Sequence, residues 1–249
     1  PKQENDSIIF MDSLISLKQS IVKEFKFNYE ACTISENHII ELLGYDADTV
    51  PEPVLETIIF ILEELPNKAR LQSGYKIFSP RKVKLNGDSF IIDNRTFSCG
   101  KIIFSSLKNS ESIVFLVSSI GNEIEEWSKH FMDNGEMLKG YLIDKVASEL
   151  VEQLADKTEL LLEDELKEIE LKATNRYSPG YCGWSVADQQ NLFSLLPDRF
   201  CGVSVNSDSM MMPIKSVSAV IGVGKNIEKK NYQCSICEID FCYKRERNA

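Results

Sequence analysis

Excess positive charge is the first thing this chain lacks. Its 38 acidic residues outnumber 28 basic ones, for a formal net charge of −10 and a pI near 4.9. Binding to nucleic acid needs a basic surface that neutralises phosphates, so the charge balance argues against that class. An acidic surface fits solubility or a protein partner. Histidine is scarce too, with two in 249 residues. His38 and His130 each lack a second histidine at ligand spacing, so both read as surface or packing residues. No apolar run reaches the roughly 18 residues of a membrane helix, so no membrane span is expected. The opening PKQENDSIIF has no signal peptide pattern, and its proline reads as a trimmed start. These absences give the expectation of a cytoplasmic protein whose seven cysteines are reduced thiols, not a disulfide framework. Internal repeats and low-complexity tracts are absent.

What is present begins with a helical front. Phe10, Leu14, Leu17, Ile21 and Phe25 recur at helical spacing and predict a first amphipathic helix. Ser35 is placed to cap a short helix ending at Gly44. Thr49 and Pro51 open another, with Leu55, Ile58, Ile59 and Leu62 as its stripe and Pro66 as its stop. Short strand-like runs follow at 74–79, 81–85 and 89–92, with Asn86-Gly87 as a hairpin signal. Ile102-Ile103-Phe104 and 113–117 read as further strands. Ser118, Ser119 and Gly121 stand where a strand hands over to a helix, a place for N-capping or for an anion.

A long helix is predicted over 121–172. Its stripe is Leu138, Leu142, Val146, Leu150 and Leu154, and beyond Lys157 it becomes Glu-rich. Those carboxylates read as a solvated face. The alternatives are an acidic surface for a partner or one Glu near a ligand's ammonium group. Next comes the loop Arg176-Tyr177-Ser178-Pro179-Gly180-Tyr181. Pro179-Gly180 forces a turn, Arg176 offers a fork of donors suited to a carboxylate, and the tyrosines give flat faces with polar tips. A binding loop and a structured connector with its arginine in an ion pair both fit. Ser185 then caps a helix ended by Pro197, and 201–205 and 217–223 read as strands.

RYSPGY resembles the R-x-x-x-G-Y signature of the S-adenosylmethionine-binding reactivation (activation) domain of cobalamin-dependent methionine synthase. The order that follows is similar as well: Asp188-Gln189-Gln190, Leu195-Leu196, Gly202-Val203-Ser204, then Met211-Met212-Pro213-Ile214-Lys215-Ser216-Val217-Ser218-Ala219. The last stretch is close to M-x-P-x-x-S-V-S-G, after which the synthase has aromatic residues and this chain has Val220-Ile221-Gly222. The front from Ile34 and the passage from Leu107 to Gly121 resemble stand-alone relatives of that domain. The resemblance implies an α+β fold with a bent antiparallel sheet and long flanking helices. It divides the chain into an N-terminal helical region, 1–70, and an activation-like domain with a Cys-rich tail, 71–249.

It also implies a role. Arg176 would meet the carboxylate of S-adenosylmethionine. Pro179, Gly180 and Tyr181 would shape the pocket, with the small residues Ser216, Ser218 and Ala219 beside it. The protein would present the ligand for reductive methylation of cob(II)alamin on a partner corrinoid protein, with an electron donor such as flavodoxin. No catalytic nucleophile or acid–base pair is legible, so it would be a component of methionine synthase, not a complete enzyme. Cys234, Cys237 and Cys242 give C-x-x-C-x-x-x-x-C, with Cys182 as candidate fourth ligand for zinc or an iron–sulfur cluster. Free thiols and a redox pair are the alternatives there. Two other functions stay open: a metal- or cluster-carrying redox accessory for another corrinoid protein, and a non-catalytic interaction module.

Overall fold

The structure, a computed structural model, describes residues 19–229. Its centre is a bent five-stranded antiparallel sheet in the order β1-β2-β6-β10-β7. The strands are β1 (Ile21–Phe27), β2 (Leu71–Ile77), β6 (Ser112–Ser119), β7 (Lys172–Ala173) and β10 (Ser216–Gly224). A three-stranded meander joins β3 (Val83–Asn86), β4 (Ser89–Ile92) and β5 (Arg95–Phe97), and a small ribbon joins β8 (Ser204–Val205) to β9 (Met211–Met212). The helices are α1 (Glu36–Leu42), α2 (Glu52–Lys68), α3 (Gly100–Leu107), α4 (Glu123–Asp133), α5 (Met137–Lys167) and α6 (Asp188–Ser194). This is the expected α+β architecture.

Strand β6 explains the layering. All eight of its residues are buried, because both sheet faces are covered. Val114 and Leu116 meet Ala155, Leu162 and Leu166 of α5, together with Ile221 and Val223 of β10. Phe115 and Val117 point the other way, into a core of Phe78, Phe90, Phe97, Trp184, Leu192 and Phe200. A strand covered on both faces reads as an unbroken apolar run instead of an alternating one. The first half of α5 packs on the helical front, where Leu142, Val146 and Leu150 meet Ile39, Ile58, Ile61 and Ile124.

Several local expectations are corrected. The part of the first helix placed at Ile21 and Phe25 is strand β1, paired antiparallel to β2 from Ile21↔Ile77 to Phe27↔Leu71. Residues four apart share a face in a helix and in a strand, so the spacing could not separate them. Residues 8–18 of that expectation lie outside the described residues. Ile102-Ile103-Phe104 belongs to α3, with Ile103 and Leu107 buried one helical turn apart. The long helix is two helices, because Gly135 takes φ +84 and lets the chain turn between α4 and α5. Pro66 lies inside the last turn of α2, which closes with Ala69 N donating to Leu65 O at 2.9 Å. Of 201–205 only Ser204–Val205 is strand. Phe200–Gly202 is a 3₁₀ turn that buries the Phe200 ring, and Cys201 N donates to Glu24 Oε1 at 2.9 Å. Ser35 does cap α1, accepting from His38 N at 3.2 Å, and the Asn86-Gly87 hairpin is present.

Candidate functional site

The RYSPGY loop is registered on the sheet before it leaves it. Tyr177 N donates to Val220 O at 2.9 Å, and Val220 N returns to Tyr177 O at 2.7 Å. One step earlier, Thr174 and Gly222 exchange bonds of 2.9 Å each. The loop then closes on itself. Gly180, at φ +97, donates to Trp184 O at 2.9 Å, and Trp184 N donates to Tyr181 O at 2.9 Å. Trp184 is buried, and its Nε1 donates to Asp188 Oδ2 at 2.7 Å. A buried indole thus fixes a loop whose Tyr181 is left half exposed. Val220, Ile221 and Gly222 are all buried strand residues, so the departure from the synthase pattern falls inside the sheet.

Arg176 sits at the root of this loop with its side chain only 6% exposed. Its Nη2 lies 2.5 Å from Asp156 Oδ1 and 3.4 Å from Glu152 Oε2, and its Nε lies 2.9 Å from Glu159 Oε2. Its Nη1 is buried and has no hydrogen-bond partner among the described residues. The three carboxylates lie at intervals of four and three on α5, which puts them on one helical face. Glu159 also takes Lys229 Nζ at 2.7 Å, and the same ammonium reaches Glu163 at 2.7 Å. Burial opposes the charge on Lys229, but hydrogen bonds to the two glutamates outweigh it and hold the pKa above its ordinary value.

Next to this network is a cleft of about 390 Å³. Its floor is the α5 face carrying Asp144, Lys145, Ser148, Glu149 and Glu152. Its other walls are Leu42, Tyr181 and the run Ile214 to Val217. Lys215 Nζ lies 2.7 Å from Asp144 Oδ1 and 2.9 Å from Ser148 Oγ. Ile214 N donates to Glu125 Oε2 at 3.1 Å, and Ser216 Oγ donates to Pro213 O at 2.7 Å. The peptide bond before Pro213 is cis. Glu149 is buried and meets His38 Nε2 at 2.9 Å.

Of the residues singled out from sequence, Tyr181 and Ser216 line this cleft together. Pro179 and Gly180 form the loop behind Tyr181. Arg176 touches the cleft only through Glu152, which it shares. Ser218 and Ala219 are buried within β10, where Ser218 Oγ donates to Gln189 Oε1 at 2.8 Å. The acidic run of α5 beyond Lys157 is not simply a solvated face, because Glu159 is buried and paired with Arg176 and Lys229. His38, read as a surface or packing residue, is half-buried and packs its ring against the buried Glu149 carboxylate. Ser118 belongs to a buried hydroxyl chain, 2.5 Å from Ser73 Oγ, which itself receives Thr158 Oγ1 at 2.7 Å.

Asp144, Ser148, Glu149, Glu152 and Lys215 are cleft residues that sequence reading did not single out. The one signal for them is the spacing of four between Asp144, Ser148 and Glu152, which puts three polar residues on one helical face but does not say what lies opposite. The cysteine cluster Cys234, Cys237 and Cys242 lies outside the described residues. Cys182 is a half-buried thiol. Among the described residues no group of three His, Cys, Asp or Glu is arranged to hold a metal ion. Nor is any described helix long and apolar enough to cross a membrane.

Comparison with known proteins agrees with this picture. A crystal structure of the MetH reactivation domain bound to AdoHcy superposes with a TM-score of 0.61, covering 86% of this chain and 81% of that one at 12% identity. At that identity the likeness speaks for the fold. No curated protein matches the sequence. Residues 98–246, more than half of the chain, match the model of the vitamin B12 dependent methionine synthase activation domain. The protein therefore belongs to the family of vitamin B12 dependent methionine synthase activation domains.

Proposed function

We propose that this protein is a stand-alone reactivation component of cobalamin-dependent methionine synthase. It binds S-adenosylmethionine in the cleft beside the RYSPGY loop and presents the methyl group to cob(II)alamin held by a partner protein. An electron donor such as flavodoxin supplies the electron. The observation that carries this reading is the charge of the cleft. Asp144, Glu149 and Glu152 face Lys145 and Lys215, three formal negatives against two positives. S-adenosylmethionine carries a sulfonium, an ammonium and a carboxylate, and is one charge positive. A small net-negative cleft of a few hundred Å³ suits such a zwitterionic cation.

In this reading Tyr181 and Ser216 contact the ligand. Pro179 and Gly180 hold Tyr181 in place, Arg176 fixes Glu152 and the root of the loop, and Ser218 and Ala219 form the sheet behind. The chain contributes binding and orientation, since the cobalamin of the partner supplies the nucleophile. Calorimetric titration of S-adenosylmethionine tests it. The expected result is saturable binding that Tyr181→Ala weakens several-fold; the side chain is half exposed, so its removal does not threaten the fold. No binding by the intact protein, either alone or with a cobalamin-domain partner present, would sink the proposal.

A further inference from the structure

The family resemblance gives the ligand's carboxylate to Arg176, and the structure offers another cation for it. Arg176 already faces Glu152, Asp156 and Glu159, and it does not form part of the cleft wall. Lys215 does. We infer that Lys215 is the specificity-determining residue that receives the carboxylate of the cleft's amino-acid ligand. This rests on the reading that the cleft binds S-adenosylmethionine.

Three observations support it. First, the Lys215 side chain is only 14% exposed, so its ammonium is held in the wall and does not sweep through solvent. Second, an ammonium has three donors, and two are engaged here, by Asp144 Oδ1 at 2.7 Å and Ser148 Oγ at 2.9 Å. The third has no acceptor among the described residues. Third, Asp144 is itself half exposed, which makes it a partner that a ligand carboxylate can replace or share. The other lysine of the cleft, Lys145, lies 5.6 Å from the Tyr141 ring centroid and lacks that two-point clamp.

The arrangement also accounts for the position of Lys215 in the chain. It immediately precedes Ser216, the first residue of β10, and Ile120 N donates to Lys215 O at 3.3 Å. The ammonium is therefore aimed from the end of the central sheet, opposite the rigid face of α5. Groups fixed on regular elements hold a ligand more closely than groups on free loops.

The test compares S-adenosylmethionine with its decarboxylated analogue by calorimetry on the intact protein, Lys215→Met, Lys215→Arg, Lys145→Met and Arg176→Lys. Removing a charge-assisted hydrogen bond at Lys215 lowers the affinity for S-adenosylmethionine relative to the analogue by about tenfold or more. Lys215→Arg restores most of that ratio. Lys145→Met removes the same charge from the same cleft and measures the field effect alone, which favours the more cationic analogue, so its shift of the ratio is much smaller than that of Lys215→Met. Equal effects at Lys215 and Lys145 would reduce Lys215 to a field effect and overturn the inference. A ratio unchanged in Lys215→Met but abolished in Arg176→Lys would hand the carboxylate to Arg176 and overturn it too. If the intact protein binds neither ligand, alone or with a cobalamin-domain partner present, the reading of the cleft itself fails and this inference with it.

Discussion

Replacing Arg176 with methionine is expected to destabilise the protein through one glutamate. The guanidinium touches three carboxylates, but they differ in what its removal does to them. Asp156 is 62% exposed, so water replaces the guanidinium there and the cost is at most about 1 kcal/mol. Glu152 lies at 3.4 Å and is a quarter exposed, which adds little. Glu159 is 8% exposed and bonded to Nε at 2.9 Å. Without Arg176 it keeps only Lys229, a side chain that is half exposed. Removing one partner of a buried pair costs about 3–5 kcal/mol. The retained Lys229 brings the expectation to the lower end, about 3 kcal/mol. For a domain of this size that corresponds to a fall in Tm of roughly 6–12 °C. The assay is thermal unfolding followed by circular dichroism, with the double variant Arg176→Met/Glu159→Gln beside the single one. The glutamine carries no charge to leave stranded, so the double variant is expected to recover at least half of the deficit. A single variant within about 2 °C of the intact protein, or a double variant no better than the single, would refute the reasoning.

Two further outcomes follow from the packing and the thiols. Gly222→Ala is expected to cost about 1–3 kcal/mol in urea unfolding, because its Cβ would meet Ser110 Oγ and come within 3.1 Å of Leu107 Cδ2. An unchanged midpoint would mean that α3 can move away from β10. Burial pushes the Cys99 thiol up to about 12, and raises Cys32 and Cys201 as well. A folded pKa above the unfolded value near 9 leaves stability intact below pH 9 and erodes it as pH rises from 9 towards 12. Peptide mapping after brief alkylation at pH 8 should therefore find Cys182 modified well before Cys32, Cys99 or Cys201. Equal labelling of the four in the folded protein would contradict that.

The sequence carried the architecture where a pattern had one structural meaning. The apolar stripe of α5, the Ser35 cap, the Asn86-Gly87 turn and the run of β10 were all legible for that reason. It failed where one spacing serves two structures. Ile21 and Phe25 are four apart, which suits a helix and a strand equally, and only pairing with Leu71–Ile77 decided between them. The triplet at 102–104 was too short to carry a period at all.

The site divides in the same way. By itself the sequence determined the RYSPGY loop, the family it points to and the acidic balance, since these are properties of residue type and local order. Only the tertiary structure decided what each charge faces. It buried Glu149 and Glu159, paired His38 with one and Arg176 with the other, and set Lys215 across from Asp144. Those partners lie far apart in the chain. Their meeting depends on α5 lying across a sheet whose strands come from widely separated stretches of sequence, and no local pattern records that.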